Sequence, residues 1–290
     1  MNGWIFIDKP KSLTSFQVIK KLKKILKVKK IGHAGTLDPF ATGVLAIAIG
    51  EATKSIYYYK EKKTYDFKVI FGTSKDSDDI TGKTISISDV IPSKEEIDNC
   101  LEKFIGIQNQ IPPKYSAVKI NGKRAYRLAR RKEEFNIRPK KIFVYDLKCL
   151  RKTKKNEFLF SLVASPGTYV RSIARDLGKL LGTFAHVSEL RRTKIGKIGE
   201  KDIILLDKFE ELVHIGHHFE ALHSICDVLD DIPAVLIDND LEQKFQNGLS
   251  FNYFNEETEI DSLFIKSRTK LLGIGKALKG KIKPVRVFNL

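Results

Sequence analysis

Residues Gly32 to Leu45 read GHAGTLDPFATGVL, and this run limits what the chain around it can become. Gly32, Gly35 and Gly43 permit backbone conformations closed to other residues, while Pro39 removes a donor and biases Leu37 and Asp38 toward extended geometry. No periodic helical face runs through it. The expectation is a shaped loop presenting one carboxylate, Asp38, followed by a buried apolar segment from Gly43 to Ile49. Asp before Pro also initiates ordinary turns, so the rest of the chain has to distinguish a turn cap from a functional group.

Hydrophobic period organises the flanks. Gly3 to Asp8 reads as a short apolar strand ending in DKP, and Thr14 or Ser15 then caps a helix with Val18, Leu22, Ile25 and Leu26 on one face and lysines opposite. Tyr65 to Phe71 is strand-like and runs into DSDDITG, whose Asp76, Asp78 and Asp79 lack the ligand spacing of a calcium loop and read as a solvated turn. Ser93 with Glu96 forms a capping box for a helix to Phe104, and Asn121 with Gly122 marks a hairpin turn before a basic helix. Lys141 to Leu150 and Glu157 to Ala164 alternate like paired strands. SPGTYVRSIARDLGKLLG then reads as a Gly turn and a helix, with Ile173, Leu177 and Leu180 or Leu181 inward and Tyr169 and Arg171 at its mouth. A composition break near Asp231 precedes strand-like pieces and a turn at Asn247 and Gly248, read as a small β-rich appendage.

With 52 Lys and Arg against 35 Asp and Glu in 290 residues, the formal charge is +17, which favours a polyanionic partner. The charge is segregated. Residues 201–261 carry 15 acidic and 3 basic side chains, leaving +29 for the remainder. Basic residues crowd Lys20 to Lys30 and Lys119 to Lys155, where Tyr115, Tyr126, Phe135, Phe143 and Tyr145 are interleaved, as on surfaces that pair phosphates and stack bases. Cys100, Cys149 and Cys226 form no CxxC and indicate neither a disulfide framework nor a thiolate metal site. A cytoplasmic setting and no membrane insertion are expected.

His33 and Asp38 stand in the HxxxxD spacing of some acyltransferases, with His as base and Asp as orienting group. GEATKS (Gly50 to Ser55) lacks the glycine before Lys that a phosphate loop requires. His214, His217, His218 and His223 have no fixed metal-ligand spacing and read as surface or helix-terminus residues.

GHAGTLDPFATGVLAIAIGEATK resembles the catalytic signature of the TruB family of tRNA pseudouridine synthases. The agreement continues in order through GWIFIDKP, KTYDFKVIFG, QIPPKYSAVKINGKRAY, SPGTYVRSIARDLG and HVSELRRT, covering most of residues 3 to 195. FATGVL followed by GEATK is closer to the stand-alone bacterial type than to relatives that work with guide RNAs. The resemblance implies an α+β pseudouridine synthase fold with a mixed, mostly antiparallel sheet and flanking helices in residues 1–231. A small β-rich, PUA-like RNA-binding domain is implied in 232–290.

It implies as well the isomerisation of uridine 55 in the tRNA T loop, with no metal, nucleotide or redox cofactor. Asp38 would be the catalytic carboxylate, as nucleophile or as base toward a ribose proton, and Arg171 its guanidinium partner. Tyr65 would stack on the flipped uracil near C5, with Tyr169 and Leu190 lining the base pocket. His33 would fill the space vacated by the extracted nucleotide and contact RNA. Lys9, counted with the substrate-binding set, would with Pro10 support the loop from beneath. The implied partner is the tRNA T stem-loop, with a monomeric protein and no obligatory protein partner. A non-catalytic RNA-binding or tRNA-folding module and the HxxxxD acyltransferase are the alternatives.

Overall fold

The computed structural model describes all 290 residues. Its main body is a ten-stranded mixed sheet. The strands that matter for the site are β1 (Gly3–Lys9), β2 (Thr42–Ile49), β3 (Lys63–Phe71), β4 (Gly106–Gln110), β5 (Lys140–Lys154), β6 (Glu157–Ala164), β7 (Ala185–Ile195) and β8 (Ile204–Leu205). They lie in the order β8-β1-β2-β7-β3-β6-β5-β4, with Ile31–His33 added beside β2 and Ile198–Gly199 beside β7. Only β8/β1 and β2/β7 run parallel. The mixed, mostly antiparallel sheet matches the fold expected from the sequence.

Both faces of β1 and β2 are covered, so there strand periodicity separates two cores, whereas in β5 it separates core from solvent. In β1, Trp4 and Phe6 join one apolar cluster with Val44, Ala46, Ile225 and Val228, while Ile5 and Ile7 join another with Val18, Leu22, Leu45 and Ile47. Helix α1 (Ser15–Ile25) supplies Val18 and Leu22; its Thr14 and Gln17 close a reciprocal capping box, and its lysines face water. The largest cluster gathers Phe67, Phe71, Phe158, Phe160 and Leu162 from the antiparallel half beneath α2 (Lys94–Leu101) and α3 (Val170–Leu180). Phe67 and Phe160 stack with centroids 5.4 Å apart, a geometry that adds about 0.5–1.5 kcal/mol beyond area burial. Leu181, not Leu180, is the last inward residue of α3, Leu180 being exposed.

Beyond the acidic helix α4 (Leu206–His214), a five-stranded sheet forms from β9 (Ala234–Leu236), β10 (Phe251–Asn252), β11 (Ile260–Lys266), β12 (Leu271–Leu278) and β13 (Lys281–Val287). Phe264, Ile274 and Phe288 enter the cluster of Trp4 and Phe6, so this sheet shares a core with the main body. The turn expected at Asn247 and Gly248 is present, and it ends a helix, α5 (Asn239–Gln246), that the sequence reading did not include. Its apolar stripe is thin, with Phe245 its one fully buried side chain, and helical period is therefore weak in the sequence.

Candidate active site

The loop carrying Asp38 is fixed from below by side chains of the preceding strand and helix. Ser15 Oγ both accepts from Leu37 N (2.9 Å) and donates to Leu37 O (3.0 Å), locking the residue before Asp38. Lys9 is fully buried and its ammonium donates to the carbonyls of Leu13 (2.6 Å), Pro10 (2.8 Å) and Pro39 (3.4 Å). Lys9 therefore stiffens the loop and has no surface with which to touch a substrate, which corrects its place in the substrate-binding set. Burial holds its pKa down at about 8. Asp8 accepts from Gly43 N (3.1 Å) and pairs with Arg191 through two bonds, closing the far end. Gly43 has φ +100° where β2 meets β7, and a Cβ there would overlap the Arg192 carbonyl.

Above this scaffold Asp38 faces Arg171 from the first turn of α3. Nη2 donates to Oδ1 at 2.9 Å and Nε stands 2.9 Å from Oδ2 in an ion pair, a side-on approach of the guanidinium to both carboxylate oxygens. The remaining donors of Arg171 reach Tyr115 O (3.1 Å), Ser77 O (3.0 Å) and Asp79 Oδ2 (3.2 Å). Both Nη nitrogens thereby spend their two N–H groups on protein acceptors, and Nε faces the Asp38 carboxylate. Asp79 is 4% exposed and is itself held by the Ser77 hydroxyl (2.8 Å), Thr81 N (3.0 Å) and the Thr81 hydroxyl (2.5 Å). The DSDDITG stretch is thus no solvated turn: Asp79 is buried against Arg171 and Asp78 pairs with Arg175 at 3.1 Å. The sequence supplied no local cue, because both arginines lie more than ninety residues downstream. Burial raises the Asp38 pKa above the usual carboxylate value, Asp79 adds to the rise, and Arg171 and Lys9 oppose it.

Asp38 remains 29% exposed on its side chain because it borders a cavity of about 800 Å³. Cross-strand register supplies one wall. Tyr65 pairs with Arg192 and Phe67 with Leu190 across β3/β7, so Lys63, Tyr65, Leu190 and Arg192 line the space beneath the loop. Tyr169 closes the side at the mouth of α3, where the buried Gln110 amide bonds its backbone N and O (2.8 and 3.1 Å). Burial raises the Tyr169 pKa. Tyr115, Tyr126 and Arg130 border the opening.

The cavity thus brings together Asp38, Tyr65, Tyr169, Arg171 and Leu190. His33 is not among its lining residues; it is half-buried on Ile31–His33, its Nδ1 has no partner, and it makes no hydrogen bond to Asp38. Burial, reinforced by Arg192, lowers its pKa. The sequence reading missed Asp79, Gln110, Lys63 and Arg192. Three of these stood in the quoted motifs, Lys63 two residues before Tyr65, Gln110 at the head of QIPPKYSAVKINGKRAY and Arg192 two residues after Leu190; Asp79 stood outside them.

Comparison with known proteins bears directly on this arrangement. The model of the TruB family pseudouridylate synthase N-terminal domain matches residues 23–170, and that of the tRNA pseudouridylate synthase B C-terminal domain matches 171–234. The chain belongs to the TruB family. Proteins named tRNA pseudouridine synthase B from Ehrlichia ruminantium and Bradyrhizobium diazoefficiens are 40% and 38% identical to it over its full length, covering 100% and 86% of their own. Among solved structures, a Cbf5-Nop10-Gar1 complex superposes with a TM-score of 0.73 at 26% identity, covering 99% of this chain and 84% of that one. An H/ACA ribonucleoprotein bound to a substrate RNA containing 2′-deoxyuridine gives 0.74 at 23% identity, over 99% and 85%, a likeness of fold. Asp38 lies within the first matched segment and Arg171 is the first residue of the second.

Proposed function

We propose that the protein isomerises uridine to pseudouridine in tRNA, at position 55 of the T loop, with Asp38 as its single catalytic carboxylate. The observation that carries this reading is a carboxylate held on both oxygens by Arg171 at the edge of an open cavity lined by Tyr65, Tyr169 and Leu190. The reaction breaks N1–C1′, turns the uracil and forms C5–C1′; one proton leaves C5 and one is taken up at N1. A group beside C1′ that is ionised and fixed in direction meets that need, and the Arg171 fork supplies both properties. Asp38 acts as nucleophile or as base toward a ribose proton; both roles use the same ionised oxygens.

The uridine has to leave its stack, which costs a few kcal/mol. Stacking on an aromatic ring returns about 1–3 kcal/mol per base, and Tyr65, on the cavity wall, is the ring we assign to it. Leu190 and Tyr169 would confine the base, and Tyr65 would assist removal of the C5 proton. His33, at the rear of the loop, would occupy the space the nucleotide leaves. Residues 232–290 would form a PUA-like RNA-binding unit; their five-stranded sheet supports that assignment. The acyltransferase alternative loses its dyad, since Asp38 is engaged by Arg171 and not by His33.

The test is tritium release from a T-stem-loop transcript labelled at uracil C5. Wild type is expected to release the label, and Asp38→Ala and Asp38→Asn to bind the RNA without release. Binding by wild type with no release would leave an RNA-binding module in place of the enzyme. Release by both variants would remove Asp38 from the catalytic role.

A further inference from the structure

Arg192 is 1% exposed, yet it forms no ion pair. Nε donates to Val44 O (2.7 Å) and Nη2 to Gly35 O (3.1 Å), while Nη1 has no hydrogen-bond partner. Beside it Lys63, also buried, has a single hydrogen bond, from Nζ to Glu61 O at 3.1 Å. Burial and the neighbouring Arg192 hold the Lys63 pKa down at about 8, so the ammonium is charged at neutral pH. Glu61 faces Lys63 without pairing with it, and burial raises its own pKa. Both cations line the cavity that Asp38 borders.

Arginine and lysine are rarely buried without a counterion, because desolvating a charge is unfavourable unless an opposite charge replaces the water. Two unpaired cations side by side are more unfavourable still, and a neutral base edge would accept their hydrogen bonds without cancelling their charge. The chemical complement of this wall is an anion. Gly35 separates the pair from the loop surface at φ +108°; a Cβ there would stand 3.3 Å from Lys63 Cε and 3.5 Å from Arg192 Nη1. Glycine at this position leaves the approach open and the backbone unstrained.

We propose that Arg192 and Lys63 form a subsite for a phosphodiester of the substrate strand next to the flipped nucleotide, reached past Gly35. This rests on the RNA-modifying function proposed above. The subsite sits at the Gly35 end of the loop and Asp38 at the other, so the phosphate and the ribose of one nucleotide span the loop between them. The nucleotide is then held by its charge at one end while its glycosidic bond is set before Asp38 at the other.

Methylphosphonate substitution tests it, with the phosphates flanking the target uridine neutralised one at a time in the T-stem-loop RNA. The full-length wild type and its Lys63→Gln and Arg192→Lys variants are compared by Kd and by single-turnover tritium release. For wild type, one flanking position weakens binding about tenfold; Lys63→Gln is weakened comparably on native RNA and is insensitive to methylphosphonate at that position. The slope of log K against log salt falls by about 0.7 for either change, as expected for one phosphate contact. Arg192→Lys, which keeps the charge, retains sensitivity at the same position. Fully additive losses at every position, or a Lys63→Gln defect confined to the chemical step with Kd unchanged, would overturn the subsite. A wild type that turns over native RNA and ignores every methylphosphonate would overturn the subsite alone. No turnover of native RNA would remove the proposed function and the subsite with it.

Discussion

Arg171 and Arg192 are both buried and both line the cavity that Asp38 borders, yet they are spent differently. Arg171 commits all four Nη hydrogens to protein acceptors and pairs its charge with two carboxylates, Asp38 and Asp79. Arg192 commits two and faces no carboxylate. A saturated guanidinium is a fixed part of the frame that orients Asp38. An unsaturated one is a site with capacity for an incoming group. In the function and subsite proposed above, chemistry and recognition are divided between two side chains of the same type, and the division yields measurable differences.

The largest effect belongs to Arg171. Arg171→Met leaves Asp79 and Asp38 unpaired in the interior, with an expected loss of about 3–5 kcal/mol in urea unfolding and a fall of at least about 10²-fold in single-turnover rate. Arg171→Lys keeps the charge and loses the fork, so the rate should stay well below wild type. An Arg171→Met protein of unchanged stability would break the contrast, because it would mean the two carboxylates did not depend on this cation. Arg192→Gln is expected to weaken RNA binding about tenfold while stability moves by less than about 2 kcal/mol, since two carbonyls lose a donor but no carboxylate is orphaned. A stability loss equal to that of Arg171→Met would show that Arg192 is structural.

Two pH effects sharpen the same division. Phosphate binding favours charged Lys63, whose pKa in the free protein is about 8, so affinity should fall as pH rises above 8. Gel-shift titrations should show that fall in wild type and a shallower one in Lys63→Gln. The role proposed for Asp38 requires its ionised form, and its pKa is raised by burial and by Asp79. The rate should therefore decline, on acidification, at a higher pH than an ordinary aspartate would give. Measured as a single-turnover pH profile, an acid limb at or below the usual carboxylate value would contradict this. Smallest is Gly35→Ala, where φ +108° carries a strain of about 1–2 kcal/mol and the new methyl crowds Lys63, with a severalfold loss of kcat/KM expected. A silent Gly35→Ala would mean that substrate does not pass there.

Much of the fold is legible because its signals are local. Thr14 with Gln17, and Ser93 with Glu96, announce their helices within four residues. Asn121 and Gly122 adopt the two positive φ values that a tight hairpin requires. The Asp38 loop was legible for the same reason, through its glycines and proline, and the family motifs brought Tyr65, Tyr169, Arg171 and Leu190 to it. What stayed hidden is nonlocal. Asp79 looks like turn punctuation until Arg171 is placed against it, and Gln110 looks like a polar residue before two prolines until it bonds the backbone of Tyr169. Lys63 and Arg192 stand in the motifs yet read as two more basic residues in a basic chain; their burial, which sets them apart, comes from cross-strand register.

The position of β7 has a consequence for how the molecule comes into being. This strand, residues Ala185–Ile195, lies between β2 and β3 in the sheet, although β2 and β3 precede it by more than a hundred residues. A nascent chain emerging from the ribosome has therefore made the Asp38 loop and both neighbouring strands long before the strand that joins them exists. Until then β2 and β3 are open edges, exposed to wrong pairing, and closing them requires contacts of high sequence separation. The catalytic cleft is among the last parts to assemble, so a truncated or stalled chain displays the signature loop without an enzyme around it.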